Sequence, residues 1–155
     1  MIRYSIKIAP VALLLSFAAS SGASGDTADP WKASGILQCA TLARQMAASP
    51  AGVPPIVHVG FEVLYRGARI KGAVFAGPGT KPEGLGALKK LAATLPKDKE
   101  LVIYCGCCPW EMCPNIRPAY RLLQSLGFTH VKVLQIPTNL HSDWVAKGFP
   151  VNKGA

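Results

Sequence analysis

Short apolar runs rich in β-branched residues recur along the chain and predict the strands of a sheet. They cover residues 56–59, 70–75, 101–104 and 128–134, and turn-forming residues bound each of them. The run at 101–104, Leu-Val-Ile-Tyr, is apolar at every position, as expected of a central parallel strand that is covered on both faces.

Segments with helical spacing of apolar residues alternate with these runs. They predict helices at residues 34–46, 82–95, 116–126 and 143–147, and Ser34 is expected to be the N-cap of the first. A short helical turn is predicted at residues 61–65. Asn115 is expected to cap the helix at 116–126, and Gly127 to end it. The alternation predicts an α/β domain with a mainly parallel sheet and helices on both faces. In such sheets the functional site lies at the carboxyl ends of the strands.

The N-terminal region has the pattern of a secretory signal peptide. Arg3 and Lys7 precede an apolar run at 8–19, and small residues follow that run. The run is shorter than the ~20 residues that a spanning helix needs, so we expect no stable membrane insertion after cleavage. The chain is therefore divided into a signal peptide at 1–23, a linker at 24–33 and a domain at 34–155. Export is predicted, with the periplasm as the destination in a Gram-negative source.

The charge of the chain adds little to this picture. The 155 residues include 17 Lys and Arg and 8 Asp and Glu. Removal of residues 1–23 takes away two basic residues and no acidic ones, so the net charge of the remaining chain is 15 − 8 = +7. The basic residues are scattered and form no basic run interleaved with aromatic residues, so we predict no nucleic-acid partner. The charge indicates solubility and a bias toward anionic substrates.

The five cysteines are distributed very unevenly. Four of them, Cys105, Cys107, Cys108 and Cys113, lie within nine residues, whereas Cys39 falls alone in a predicted helix. An odd, clustered set does not form a framework of disulfides across a small exported fold. The cluster therefore indicates local chemistry, and Cys39 is interpreted as a small buried apolar residue.

Cys105 is the best candidate for a nucleophile, because it follows the apolar run at 101–104 and faces the start of the next predicted helix. Oriented N–H groups at a helix N-terminus lower the pKa of a nearby thiol, and Arg117 adds a full positive charge there. No catalytic histidine or aspartate follows in the loop, so its own N–H groups are expected to stabilise an anion. This arrangement suits a cysteine that carries a transferred group. His58, alone in its strand, is interpreted as structural.

Several motifs in order resemble the single-domain rhodaneses, a family of sulfurtransferases. Residues 68–73, Ala-Arg-Ile-Lys-Gly-Ala, stand where the family commonly has Gly-His-Ile-Pro-Gly-Ala. Residues 102–105 match the strand that delivers the active cysteine, residues 117–128 match the following helix, and residues 143–151 match the closing W-x-x-x-G-x-P-V pattern. The loop from Cys105, with its CGCCPW…CPN…RPA sequence, is similar to that of an exported rhodanese-like subgroup.

The resemblance implies a rhodanese-like fold with a sheet of about five strands and a persulfide on Cys105. Sulfur would come from a small donor such as thiosulfate and pass to a thiophilic acceptor, for which a protein thiol is one candidate. No cofactor is implied. The chain departs from the family at residues 58–60, where His-Val-Gly replaces Asp-Val-Arg, and in a longer active loop.

The longer loop leaves three interpretations open. In the first, Cys107, Cys108 and Cys113 resolve or modulate a persulfide on Cys105, with Arg117 stabilising the anion, which makes the loop a thiol relay. In the second, the four loop cysteines bind Zn or Cu, although their spacing is not the paired CxxC of structural zinc sites. In the third, the domain is a non-catalytic binding module. The first interpretation, an exported sulfurtransferase or thiol-relay enzyme, is the one we favour.

Overall fold

The computed structural model describes residues 29–154. The predicted signal peptide at 1–23 and residues 24–28 of the predicted linker lie outside the described residues. The described chain contains seven strands: β1 (Ile36–Gln38), β2 (Ile56–His58), β3 (Ala68–Ile70), β4 (Val74–Phe75), β5 (Leu101–Tyr104), β6 (Val131–Gln135) and β7 (Val151–Lys153).

Four α-helices connect these strands: α1 (Cys39–Ala48), α2 (Glu62–Gly67), α3 (Pro82–Ala92) and α4 (Ile116–Ser125). Three short 3₁₀ turns lie at Ala33–Gly35, Pro50–Gly52 and Trp110–Met112, and a π-helical turn at His141–Val145. Within residues 29–154, no helix is long and apolar enough to cross a membrane.

Five of the strands form one parallel sheet in the order β1-β6-β5-β2-β4, whereas β3 and β7 pair antiparallel in a separate ribbon. In register, Ile103 of β5 lies between Val57 of β2 and Val133 of β6. The four residues of β5 are all buried, as the unbroken apolar run predicted. The predicted five-stranded parallel α/β fold is confirmed.

The sheet separates two apolar clusters, and alternate residues of β5 belong to opposite faces. Leu101 and Ile103 pack in the cluster that contains Leu88 of α3 and Leu123 of α4. Val102 and Tyr104 pack in the other cluster, with Leu42 of α1 and Trp144 of the π-helical turn. Helices therefore cover both faces. Cys105 continues the alternation and lies on the side of α3 and α4.

Three of the predicted elements are wrong in detail. The helix expected from Ser34 begins only at Cys39, because Ile36–Gln38 pairs with β6 as an edge strand. The strand expected at 70–75 is two strands, because Gly72 turns the chain at φ +80° between Ile70 and Val74. The last helix, expected at 143–147, is the π-helical turn, which begins two residues earlier.

Residues 29–33, the described part of the predicted linker, contact the domain. Trp31 is buried, with its ring centroid 5.9 Å from that of Trp110 and 5.3 Å from that of Tyr120. Asp29 forms an ion pair with Arg117 at 2.5 Å. This segment therefore packs on the cysteine loop and on the start of α4.

Candidate active site

Cys105 follows the last residue of the central strand, so its position is fixed by the best-buried part of the sheet. Its side chain is 1% exposed. Gly106 then turns the chain with φ +76°, a backbone conformation that favours glycine. A Cβ at this position would also lie 2.9 Å from the Cβ of Leu140. The loop can therefore leave the sheet immediately after the thiol.

The loop brings two further thiols back to Cys105. The Sγ atoms of Cys105, Cys107 and Cys113 all lie within 4.8 Å of one another, and those of Cys105 and Cys107 are 3.3 Å apart. Cys108 lies at the edge of this group, with its Sγ 3.0 Å from that of Cys107. All five cysteines of the chain are free thiols. The four clustered cysteines predicted to act together are therefore close in space, with Cys105, Cys107 and Cys113 as the compact core.

The charge of this cluster concentrates on one sulfur. The Cys113 thiol donates to Cys105 and is the main reason why the pKa of Cys105 falls from 9.0 to about 6. Burial opposes this change, and the N–H and thiol of Cys107 add to it. The pKa of Cys113 rises because its proton is held by Cys105 and because it is buried, and the pKa of Cys107 rises chiefly through burial. These opposite shifts favour a thiolate on Cys105 and protonated thiols on Cys107 and Cys113.

Asn115 lies directly before α4, as the sequence predicted, but its side chain belongs to the thiol site. It precedes α4, as an N-cap would, yet its side chain makes no cap hydrogen bond. Instead Nδ2 donates to Cys105 Sγ at 3.5 Å, and Oδ1 accepts from the N–H and hydroxyl of Thr80 at 3.2 and 2.8 Å. Asn115 is fully buried and directs an amide donor at the thiolate. The sequence signal, an asparagine before a helix, is the same for both roles.

The His-Val-Gly segment at residues 58–60 lies against Cys105. A Cβ on Gly60 would be 2.7 Å from Cys105 Sγ, so the absence of a side chain is what admits the thiol here. His58 is fully buried among Tyr65, Phe75 and Tyr104, and neither ring nitrogen has a hydrogen-bond partner within residues 29–154. Burial lowers the pKa of His58 to about 4, so its ring is neutral.

Arg117 contacts the backbone of the loop. Its guanidinium donates to the carbonyl oxygens of Glu111 at 2.7 Å and Cys113 at 3.3 Å, besides its ion pair with Asp29. Its centre lies 5.7 Å from the Trp31 ring. None of these hydrogen bonds reaches the Cys105 thiol. The structure therefore gives Arg117 a positioning contact to the loop, and the donors around Cys105 come from Cys107, Cys113 and Asn115.

A cleft of about 440 Å³ opens beside Cys105 and Cys107. One wall is α2 with the start of β3, and the other is the segment that leads into the π-helical turn. The lining residues are Val63, Leu64, Gly67, Ala68, Cys105, Gly106, Cys107, Asn139, Leu140, His141 and Val145. The thiol cluster therefore has an adjacent space of the size that small-molecule sites occupy.

No protein-family model matches the sequence, and no curated protein matches it either. Solved structures do resemble the fold. The rhodanese-like domain of the Alr3790 protein from Anabaena sp. is 19% identical, covers 77% of this chain and 79% of its own, and has a TM-score of 0.54. The BH2092 protein from Bacillus halodurans is 22% identical over 77% of each chain, with a TM-score of 0.59.

A third similar structure is EanB with a cysteine persulfide, in a tetrahedral intermediate state with ergothioneine. It is 22% identical, covers 76% of this chain and 28% of the EanB chain, and has a TM-score of 0.54. At these identities the comparisons show that the fold is rhodanese-like. The activity has to be inferred from the cysteine cluster itself.

Proposed function

We propose that this protein is an exported rhodanese-like sulfurtransferase or thiol-relay enzyme that carries sulfur as a persulfide on Cys105. The observation that supports this most strongly is the single activated thiol at the end of the central strand. Its pKa of about 6 makes it a thiolate at neutral pH, and the thiolate is the nucleophilic form of cysteine. The structure of EanB with a cysteine persulfide is similar in fold, which agrees with this chemistry.

The first step is attack of the Cys105 thiolate on the sulfane sulfur of a donor such as thiosulfate. A bond forms between Cys105 Sγ and that sulfur, and the bond from the sulfane sulfur to the donor breaks. The donor fragment, sulfite in the case of thiosulfate, leaves with the bonding electron pair. Asn115 Nδ2 and the Cys107 N–H lie where they stabilise negative charge on Sγ before attack.

The second step passes the sulfur on. A thiophilic acceptor, for which we favour a protein thiol, attacks the outer sulfur and leaves Cys105 as a thiolate. In the relay variant of this step, Cys107, at 3.3 Å, attacks Cys105 Sγ instead. This forms a Cys105–Cys107 disulfide and releases hydrosulfide, and a dithiol reductant then restores both thiols. Cys113 and Cys108 modulate the cluster, the former by holding a proton toward Cys105.

Export and the absence of a nucleic-acid partner are part of the proposal. Support for export comes from the basic, apolar and small-residue order of residues 1–23. In a periplasm the acceptor would be an exposed thiol or a reduced partner protein, because the compartment favours disulfides. Cleavage is tested by N-terminal sequencing of protein recovered from the cell envelope, and a chain that retains residues 1–23 would contradict it.

The proposed sulfurtransferase activity is tested by mass spectrometry of the reduced protein after brief treatment with thiosulfate or inorganic polysulfide. We expect a gain of one sulfur atom on the peptide that contains Cys105, and its loss when a thiol acceptor is added. Cys105→Ser should gain none at this site. Equal gain by Cys105→Ser, or no gain with any donor, would refute the proposal. Cys39→Ser is the matched control, because this buried thiol lies outside the loop cluster.

A second candidate function is metal binding, and the compact cluster of three sulfurs favours it. Thiolate ligands suit Zn or Cu(I), and bonds of about 2.3 Å to one ion set sulfur separations near 4 Å. Cys105, Cys107 and Cys113 approach that arrangement, whereas Cys108 lies outside it. Stoichiometric metal in protein purified without reductant, lost in Cys113→Ala, would support this function. Absence of metal after anaerobic reconstitution with Zn and Cu(I) would remove it.

A further inference from the structure

The cleft beside Cys105 carries almost no charge, although the chain is strongly basic. The side chains that line it include no Lys, Arg, Asp or Glu within the part of the chain that the structure describes. The neighbouring basic residues are engaged elsewhere. Arg66 pairs with Glu62 at 2.7 Å, and Arg69 stacks over the Tyr65 ring at 4.7 Å. Within residues 29–154, a small inorganic dianion would therefore find no Lys or Arg side chain lining this cleft.

Four N–H groups of the loop already have acceptors and are not available to such an anion. The N–H of Trp110 donates to the carbonyl of Ile136 at 3.0 Å. Those of Met112 and Cys113 donate to carbonyls within the loop at 3.0 and 3.2 Å, and that of Cys107 is directed at the Cys105 thiolate. These groups are used to fold the loop and to hold the thiolate. They cannot at the same time form an anion-binding ring around a dianion.

The walls of the cleft are apolar and extend to its rim. Leu140 and Val145 form one wall, and Val63 and Leu64 of α2 form the other. Val63 is 75% exposed and Leu64 is 38% exposed, and the adjacent Phe61 is 43% exposed. Two of the five large apolar side chains that are exposed within residues 29–154, Val63 and Leu64, thus line this cleft. An apolar group that covered them would gain favourable burial.

We infer that the sulfur donor is a small organic molecule with an apolar group next to its sulfane sulfur, and that α2 binds this group. The inference rests on the proposed sulfurtransferase function and specifies its donor. The step is the one already described: the Cys105 thiolate takes the sulfane sulfur, and the organic fragment leaves with the electron pair. For a thiosulfonate this fragment is a sulfinate, so charge and atoms balance.

The test compares benzenethiosulfonate with methanethiosulfonate, which share the reacting group and the charge and differ in the apolar group. The rate constant for persulfide formation on Cys105 is measured for each by quenched reaction and mass spectrometry. The same two rate constants are measured for glutathione thiolate, and the protein's ratio of rate constants is divided by that of glutathione to correct for the different leaving groups. We expect the corrected ratio to favour benzenethiosulfonate by about tenfold or more, as for apolar groups in apolar pockets.

Two variants locate the effect. Val63→Thr with Leu64→Asn should bring the ratio toward that of glutathione, whereas Val74→Thr, at an exposed apolar residue outside the cleft, should leave it unchanged. A wild-type ratio equal to that of glutathione would overturn the inference and assign the rim to another occupant, such as a partner protein. Persulfide formation would then still support the sulfurtransferase. If neither donor nor polysulfide places sulfur on Cys105, the proposed function itself fails.

Discussion

Replacement of Cys113 by alanine tests how the cluster activates Cys105. The Cys113 thiol makes the largest contribution to the low pKa of Cys105, and both side chains are buried. Alanine removes the donor and leaves Asn115 and Cys107 in place. Because the thiolate then loses one of its hydrogen bonds inside a desolvated site, we expect the pKa of Cys105 to rise.

The size of the rise follows from the strength of one such bond. The pKa of Cys105 lies at about 6 against an ordinary value of 9.0, which corresponds to roughly 4 kcal/mol in favour of the thiolate. A hydrogen bond to a charged group contributes about 1.5–3 kcal/mol, or about 1–2 pKa units. Cys113→Ala should therefore titrate at about 7–8, and near pH 6.5 its thiolate fraction should fall roughly tenfold.

The assay is the pH dependence of alkylation of Cys105 by iodoacetamide, read from the Cys105 peptide by mass spectrometry. Cys113→Ser is the matched control, because a hydroxyl keeps a donor at the same position, and its midpoint should stay closer to that of the wild type. An unchanged midpoint in Cys113→Ala would show that another group sets the pKa. Equal shifts in both variants would attribute the change to packing.

Three further predictions concern the surroundings of the thiol. Gly60→Ala places a Cβ 2.7 Å from Cys105 Sγ, so persulfide formation on Cys105 should be largely lost. The control Gly86→Ala, whose Cβ has no atom within 4 Å, should keep the wild-type rate. Equal rates in both variants would contradict the packing argument. Arg117→Ala removes hydrogen bonds to the loop carbonyls, so amide hydrogen exchange of the cysteine loop should become faster while the pKa of Cys105 stays nearly unchanged. A large rise in that pKa would instead show a direct electrostatic role for the guanidinium. The lowered pKa of Cys105 stabilises the fold fully above pH 9.0, and this contribution is lost as pH falls through about 6. The urea unfolding free energy should therefore rise from pH 6 to pH 9 in the wild type, and more weakly in Cys105→Ser.

The main sheet and its helices were predictable because their signals are local. The apolar run at 101–104 indicated a central strand, and the spacing of Leu122, Leu123 and Leu126 indicated α4, which Gly127 ends at φ +88°. The edge strand β1 was not predictable in the same way. Ile36–Gln38 has no pattern of its own and becomes a strand because β6 offers an edge to pair with.

The site was predictable in its residues more than in its geometry. The clustering of cysteines after a buried strand pointed to Cys105, Cys107, Cys108 and Cys113. Which three sulfurs lie mutually within 4.8 Å depends on how the loop folds back, and the loop is held by contacts distant in sequence, such as the hydrogen bond from the Leu140 N–H to the Gly106 carbonyl at 3.0 Å. The same holds for Asn115, whose amide is directed inward by Thr80. Partners of this kind leave no trace in a single sequence.

The central claim, that Cys105 alone accepts sulfur from the donor, is tested most directly by isotope mapping. The reduced protein is treated for a short time with a donor labelled at its sulfane sulfur, the remaining thiols are blocked, and all five cysteine peptides are analysed. Our account predicts that the earliest label lies on Cys105, and that a Cys105–Cys107 disulfide without label forms only later. First label on Cys107, Cys108 or Cys113, or label shared evenly among the four loop cysteines, would contradict it.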